Sequence, residues 1–319
     1  MTRRSNSIRV AALLAPVALS ACTQATSTEA SSASEAPLGA AAQAIIDGAP
    51  ADEAKYGAVG AVVWFHPDYG VLQVFCSGTL VSPDAIITAR HCTPNIDLAP
   101  LIGVQAGFAF GPNGYEPTQL IPIASYVNAP AAPGKEKGLL LDGGRDVAVA
   151  HLASAAVGIT PAKLGEFKAN QLGAQFQIAG FGIYAFEGFS GQKYAGLATA
   201  RAYNGKWYEL LFNGDYNAYH DWYFTDSSAA IPSEAEAKEW WKIYKLENKY
   251  ELLAGGLPGE SVSCFGDSGG PLLLGTSAAN LTTYGVSFAG EGTFSTVCGL
   301  GGGYLVFNRK MLDFVQGAL

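Results

Sequence analysis

The run SCFGDSGGPLL (263–273) sets Ser268 between an aspartate and two glycines, with Cys264 four residues upstream and apolar residues after it. Glycine adopts backbone conformations closed to other residues and lets a second molecule's backbone come close. That suits an exposed nucleophile. A serine hydroxyl attacks poorly until a base takes its proton, and an acid must hold that base in one tautomer. Both kinds of residue lie upstream: His91 in ITARHCTP, directly before Cys92, and Asp146 opening DVAVAHL, where an unpaired buried carboxylate would be expensive. Taken singly, each could be a satisfied core residue, and the serine could mark a glycine-rich turn. The order His, Asp, Ser, each in its own context, points to acyl transfer.

The elements that must position these residues are mostly strands. The 319 residues are 49% hydrophobic and only 14% charged, with 39 glycines and 16 prolines, a balance that favours short strands and tight turns over a helical bundle. GAVGAVVWF (57–65), GVLQVFCSGTLVS (70–82), DAIITA (84–89), DVAVAHL (146–152) and AQFQIAGFG (174–182) read as strands, as do PLLLG, LTTYGVSFAG and GGGYLVFN after the serine. Two helices are expected. One starts at Ser233, with Glu236 completing a capping box and Trp240, Ile243 and Tyr244 on one face; the other follows Asn308, with Met311, Phe314, Val315 and Leu319 on one face. Both faces read as packing surfaces. A net charge of −8 with no lysine or arginine run argues against nucleic acid as a partner.

Arg3, Arg4 and Arg9 precede an apolar run from Val10 to Leu19, too short to span a bilayer and of the length of a secretory leader. The run ends in Leu-Ser-Ala-Cys22, which resembles the lipobox of bacterial lipoproteins, where the leader (1–21) is removed and the cysteine is lipidated; a plain signal peptide with a chance cysteine is the alternative. Residues 22–44, rich in Ser, Thr and Ala, read as a tether or propeptide. Five cysteines in an exported chain leave one over, and lipidation of Cys22 accounts for it. The other four allow three pairings, of which Cys76 with Cys92 and Cys264 with Cys298 join sequence neighbours. Without a CxxC pair, and with His66, His91, His151 and His220 scattered, neither a metal nor a cofactor is expected.

IIDG (45–48), CSGTLVS (76–82), TARHC (88–92), DVAVAHL, GDSGGP (266–271) and VSFAG (286–290) occur in the order found in the chymotrypsin-like (trypsin family) serine peptidases, which residues 45–319 resemble. The resemblance implies an all-β fold of two six-stranded antiparallel barrels, about 45–160 and 161–319, with a C-terminal helix and a helical insertion (about 183–258) in the second. It implies that Ser268 attacks, His91 moves the proton, Asp146 orients His91, and the N–H groups of Gly266 and Ser268 form the oxyanion hole. Ser287 would support Asp146 and offer backbone to the substrate, and cleavage before Ile45 would free an ammonium to pair with Asp267.

In that family the floor of the specificity pocket lies six residues before the nucleophile, so the resemblance, counted back from Ser268 through Cys264, implies Val262 at the floor, with Ser287 nearby and Ala289 and Gly302 as walls; assigning Glu260 to the floor would break the cysteine register. An apolar, rather small pocket follows, able to accept Ala44, so one copy could process another before Ile45. Arg90 departs from the small residue usual beside the histidine. The long aromatic insertion could be a surface excursion packed on itself or a lid or exosite. Polypeptides are the expected substrates and a monomer the expected state. A non-catalytic binding module on the same fold, or an esterase, are the rival functions. If Cys22 carries the lipid, Cys22→Ser should move the protein from membrane to soluble fractions; unchanged membrane association would refute the anchor.

Overall fold

Apolar runs cut every few residues by glycine, proline or aspartate turn the chain back on itself strand by strand. The computed structural model describes residues 45–131, 145–185, 188–189, 191–226, 233–291 and 298–319. Six antiparallel strands form the first barrel: β1 (Val59–His66), β2 (Gly70–Ser82), β3 (Ala85–Thr88), β4 (Gln105–Phe110), β5 (Gln119–Asn128) and β6 (Ala148–Leu152), closed in the order β1-β2-β3-β6-β5-β4. Register shifts at Val62/Val63 and Trp64/Phe65 in the β1–β2 pair add the bend that closure requires. Its interior is filled by Val62, Leu80, Ile86, Phe108 and Phe110.

The second set comprises β7 (Gln175–Gly180), β8 (Tyr194–Ala202), β9 (Glu251–Ala254), β10 (Pro271–Leu274), β11 (Thr282–Glu291) and β12 (Gly301–Val306). Their pairings run β8-β9-β12-β11-β10-β7 and return from β7 to β8, so this sheet also closes on itself. Phe176, Ile178, Leu252, Leu272 and Tyr304 pack inside it, together with Ile45. A separate cluster forms the seam between the barrels: Ala85, Ile87, Val147 and Val149 from the first meet Val286, Phe288, Leu305 and Phe307 from the second. Helix α5 (Arg309–Ala318), whose Met311 N–H donates to the Asn308 side chain at 3.1 Å, buries Met311, Leu312 and Val315 against this seam. Its buried face is therefore shifted from the expected one: Leu312 is inside, while Leu319 is 44% exposed.

A helix α1 (Thr93–Leu101) follows directly on the His91 turn. Its two prolines hide it from sequence periodicity, yet Pro94 stands in the first turn, where a missing N–H costs nothing. The stretch expected as an insertion contains the barrel strands β8 and β9, so the excursion proper runs from 203 to 250. It carries α2 (Trp207–Leu211), α3 (Tyr216–Asp221), a π-helical turn (Trp222–Asp226) and α4 (Glu234–Ile243). The α4 cap is as anticipated, Ser233 and Glu236 each accepting from the other's backbone N–H. Of its expected stripe, Trp240 and Tyr244 face inward together with Ala237, while Ile243, the last helical residue, is half exposed. Trp207, Tyr208, Tyr219, Trp222 and Tyr223 fill this small core, which also takes in Leu253 of β9 and Leu300.

Candidate active site

β3 and β6 are neighbours, with Thr88 opposite Ala148, so the chain leaving β3 and the chain entering β6 meet at one barrel end. A 3₁₀ turn (Arg90–Cys92) places His91 at the first of these points and Asp146 stands at the second. Asp146 grips the histidine twice: Oδ1 accepts from the His91 backbone N–H at 2.8 Å, and Oδ2 lies 2.6 Å from ring Nδ1. An ionised carboxylate can only accept, so the proton sits on Nδ1 and Nε2 keeps its lone pair. Asp146 is buried while the imidazole is 28% exposed, which leaves the free nitrogen able to meet a ligand. The Cys76–Cys92 disulfide ties the turn to β2.

Arg145, just before Asp146, adopts a left-handed backbone (φ 47°) that non-glycine residues rarely take. Its guanidinium lies 4.5 Å from the centre of the Tyr250 ring and 3.6 Å from the Glu247 carboxylate, whose acidity burial weakens and Arg145 partly restores. The entry to the Asp146 turn is thus clamped to the far end of the 203–250 excursion.

The Ser268 turn is fastened to both barrels. Ser77 of β2 donates its N–H to Ser268 O (2.8 Å) and its hydroxyl to Gly266 O (2.9 Å), while its own carbonyl accepts from Thr88 Oγ1 (2.8 Å). On the other side Gly269 N–H donates to Ser287 O (2.7 Å) and Ser287 N–H to Gly270 O (2.8 Å). Gly269 needs its identity: φ is 83°, and a Cβ there would collide with Thr88 Oγ1 and Ser77 O. Cys92 Sγ lies 3.9 Å from Ser268 O, so the serine sits beside the histidine turn. Ser77 and Thr88 were not assigned roles by sequence, although both lie inside quoted motifs.

Asp267 is buried at 1% exposure. Its carboxylate accepts from the N–H groups of Gly182 and Cys264, each at 2.8 Å, and from that of Ile45. Burial pushes the carboxyl up to about 6 against these three donors. Any side chain at residue 182 would strike it, since a Cβ there would stand 2.5 Å from Oδ2. Ile45 is itself buried, and Ile46 pairs with Val262 through hydrogen bonds of 3.0 and 3.2 Å. Ile45 has φ 51°, a conformation costly for a β-branched residue.

Val262, Ser263, Ser287, Gly302 and Tyr304 are buried next to this turn and Ala289 is half-buried. The Ser287 and Ser263 hydroxyls lie 3.1 Å apart, within hydrogen-bond reach, and either can donate to the other. Ser263 and Tyr304, whose phenol burial makes less acidic, face the same space and were missed by sequence. Glu260 is engaged elsewhere, its carboxylate accepting from the Thr199 hydroxyl. Cys264–Cys298 forms as expected. Among the described residues, the grouping with metal-ligand spacing is Cys76, His91 and Cys92, and its sulfurs are committed to a disulfide. No helix among them is long and apolar enough to cross a membrane.

The structure resembles that of neuropsin, a serine protease expressed in the limbic system of mouse brain, at a TM-score of 0.54 and 16% identity over 85% of this chain and 98% of that one. A structure titled GrC gives 0.53 and 17%, over 85% and 97%. These likenesses concern the fold. No curated protein matches the sequence. Residues 45–204, half of the chain, match the sequence profile described as Trypsin. The barrels, the disulfides and that match have one reading: the chain belongs to the trypsin family of serine proteases.

Proposed function

We propose that the protein is an exported serine endopeptidase that cleaves peptide bonds through an acyl-enzyme on Ser268. It acts as a monomer on polypeptides, tethered to the bacterial cell envelope by a lipid on Cys22, which lies outside the described residues. The observation that carries the catalytic reading is the double grip of Asp146 on His91, which supports a base with a fixed tautomer and a free Nε2. Ser268 Oγ attacks the scissile carbonyl carbon as Nε2 takes the hydroxyl proton. The oxyanion that forms accepts from the N–H groups of Gly266 and Ser268, each worth about 3 kcal/mol at the transition state. His91 then returns the proton to the leaving amine, and water releases the acyl group by the same steps in reverse. Asp146 stabilises the transient imidazolium. Proton transfer and carbonyl addition complete the cycle without a cofactor.

We further propose that the chain is made inactive and switched on by cleavage before Ile45. The intact bond leaves only an amide N–H facing the buried Asp267 carboxylate and holds Ile45 in a left-handed conformation, a strain of about 1–3 kcal/mol. Cleavage removes the φ restraint and supplies an ammonium, the charge that Asp267 lacks. Val262 at the floor and Ala289 and Gly302 as walls favour small to medium apolar residues on the acyl side of the cut (P1), a description that Ala44 meets.

A fluorophosphonate probe should label Ser268 in protein beginning at Ile45. Ser268→Ala and His91→Ala should each abolish peptide hydrolysis while the fold persists; turnover by purified Ser268→Ala would end the mechanism. Ser268→Ala expressed alone should keep its residues before Ile45 and lose them when mixed with active enzyme. N-terminal mass spectrometry reads this, and cleavage of the inactive chain alone in a protease-depleted host would rule out self-processing. On a peptide library, Ala or Val at P1 should exceed Lys or Arg, with graded preferences of about 10–200-fold per misfit methylene or two; a strong Arg preference would overturn the pocket.

In the intact chain Asp267 holds its proton more tightly folded than unfolded. The stability it lends is complete below about 3.8 and is lost as pH rises through about 6, up to about 3 kcal/mol in all. Denaturant unfolding of wild type against Asp267→Asn between pH 4 and 7 should show that slope in the wild type alone, and processing before Ile45 should flatten it. Equal slopes in the two intact proteins would remove Asp267 from this role.

A further inference from the structure

Gly302 has no side chain, so where that pocket wall stands is decided by what lies behind it. Toward the pocket a Cβ at Gly302 would meet Ser263 Oγ at 2.6 Å and Tyr304 Cε2 at 3.1 Å. Behind, a Cβ at the preceding Gly301 would stand 2.8 Å from Leu253 Cδ1 and 3.0 Å from Leu211 Cδ2, the latter on α2 of the excursion. Leu300, one residue earlier, packs its side chain against the excursion's aromatic cluster. The two residues leading into the wall, Leu300 and Gly301, therefore lean on the 203–250 excursion by side-chain packing.

A polar tie reinforces the packing. Arg201, near the end of β8, donates from Nη2 to Leu210 O in α2 (3.2 Å) and from Nη1 to Gly255 O (3.1 Å) and, at longer range, to Leu300 O (3.5 Å). One rigid, planar guanidinium thus spans carbonyls from the excursion, from the end of β9 and from the approach to the wall. Burial weighs against its charge, and Glu260, which accepts from the Thr199 hydroxyl, offsets part of that cost. An excursion that only covered its own aromatic rings would need no such link.

We infer that the 203–250 excursion buttresses the Gly302 wall of the specificity pocket, with Arg201 as the positioning residue that couples them, and so helps to set which P1 side chains fit. This rests on the endopeptidase reading. It makes the excursion neither a lid nor an exosite. Loosening the buttress lets the wall retreat, so large P1 residues gain relative to small ones while the chemistry at Ser268 is untouched.

The test uses the full chain after processing, as wild type, Arg201→Met, Arg201→Lys and Leu211→Ala, each checked for folding by circular dichroism. Arg201→Met and Leu211→Ala should lower the ratio of kcat/KM for Ala over Phe peptides by about tenfold, the scale of a methylene or two of pocket fit, with Arg201→Lys in between. Fluorophosphonate labelling of Ser268, which does not depend on P1 fit, should stay within about twofold of wild type, a change below the scale of pocket discrimination. An unchanged ratio in both folded variants, or an equal loss on both peptides, would overturn the inference. Amide hydrogen exchange at 300–303 supplies a readout independent of turnover and should quicken in both variants; unchanged exchange would likewise refute the buttress. If wild-type Ser268 is not labelled at all, the endopeptidase reading fails, and the exchange result still decides whether the excursion holds the wall.

Discussion

A carboxylate shut away from water must be given hydrogen bonds or a counter-charge, and most of the site geometry follows from meeting that demand at Asp267. Its three donors come from distant parts of the chain: Gly182 after β7, Cys264 in the serine turn itself and Ile45 at the start of the domain. Bringing them to one point fixes the turn that carries Ser268. It also explains local sequence choices: residue 182 must be glycine because the carboxylate occupies the place of a side chain. Ile46 adds its ladder bonds to Val262, so the same convergence pins the chain that leads into the serine turn.

The two barrels divide the remaining work. The first supplies the histidine and aspartate from adjoining strand ends, and the second supplies the serine turn. Ser77 is the joint between them, since its amide, hydroxyl and carbonyl all serve groups at the seam. A site assembled this way depends on barrel-to-barrel registration, which the apolar seam and α5 secure over a wider area than the hydrogen bonds alone. A loss of packing at Phe288 or Val315, remote from any reacting atom, would be transmitted to the relative placement of His91 and Ser268.

Strand content, both disulfides, both N-caps and the pairing of His91 with Asp146 were legible in the sequence because each is written in local chemistry: alternation, cysteine count, Ser-x-x-Glu, or a short motif. What escaped was written in the tertiary arrangement. Helix α1 carries two prolines and no clear stripe. The inward faces of α4 and α5 depend on which neighbours they meet, so Ile243 and Leu319 turned out exposed. Arg201 and Arg145 gave no signal at all, being ordinary residues until the excursion folds against them, and Tyr304 is an ordinary strand residue until the second barrel closes around it.

The excursion also changes what light reports about this molecule. Of the five tryptophans, Trp207, Trp222, Trp240 and Trp241 lie within it and only Trp64 lies in a barrel. They sit among tyrosines at ring separations of 5–6 Å, such as 5.0 Å between Tyr219 and Trp241 and 5.3 Å between Trp240 and Tyr244, close enough for excitation of the tyrosines to pass to the indoles. Intrinsic emission is therefore dominated by one peripheral module. An emission transition in heat or denaturant would follow the melting of that module, and the barrels that carry the histidine, aspartate and serine would have to be followed by another signal.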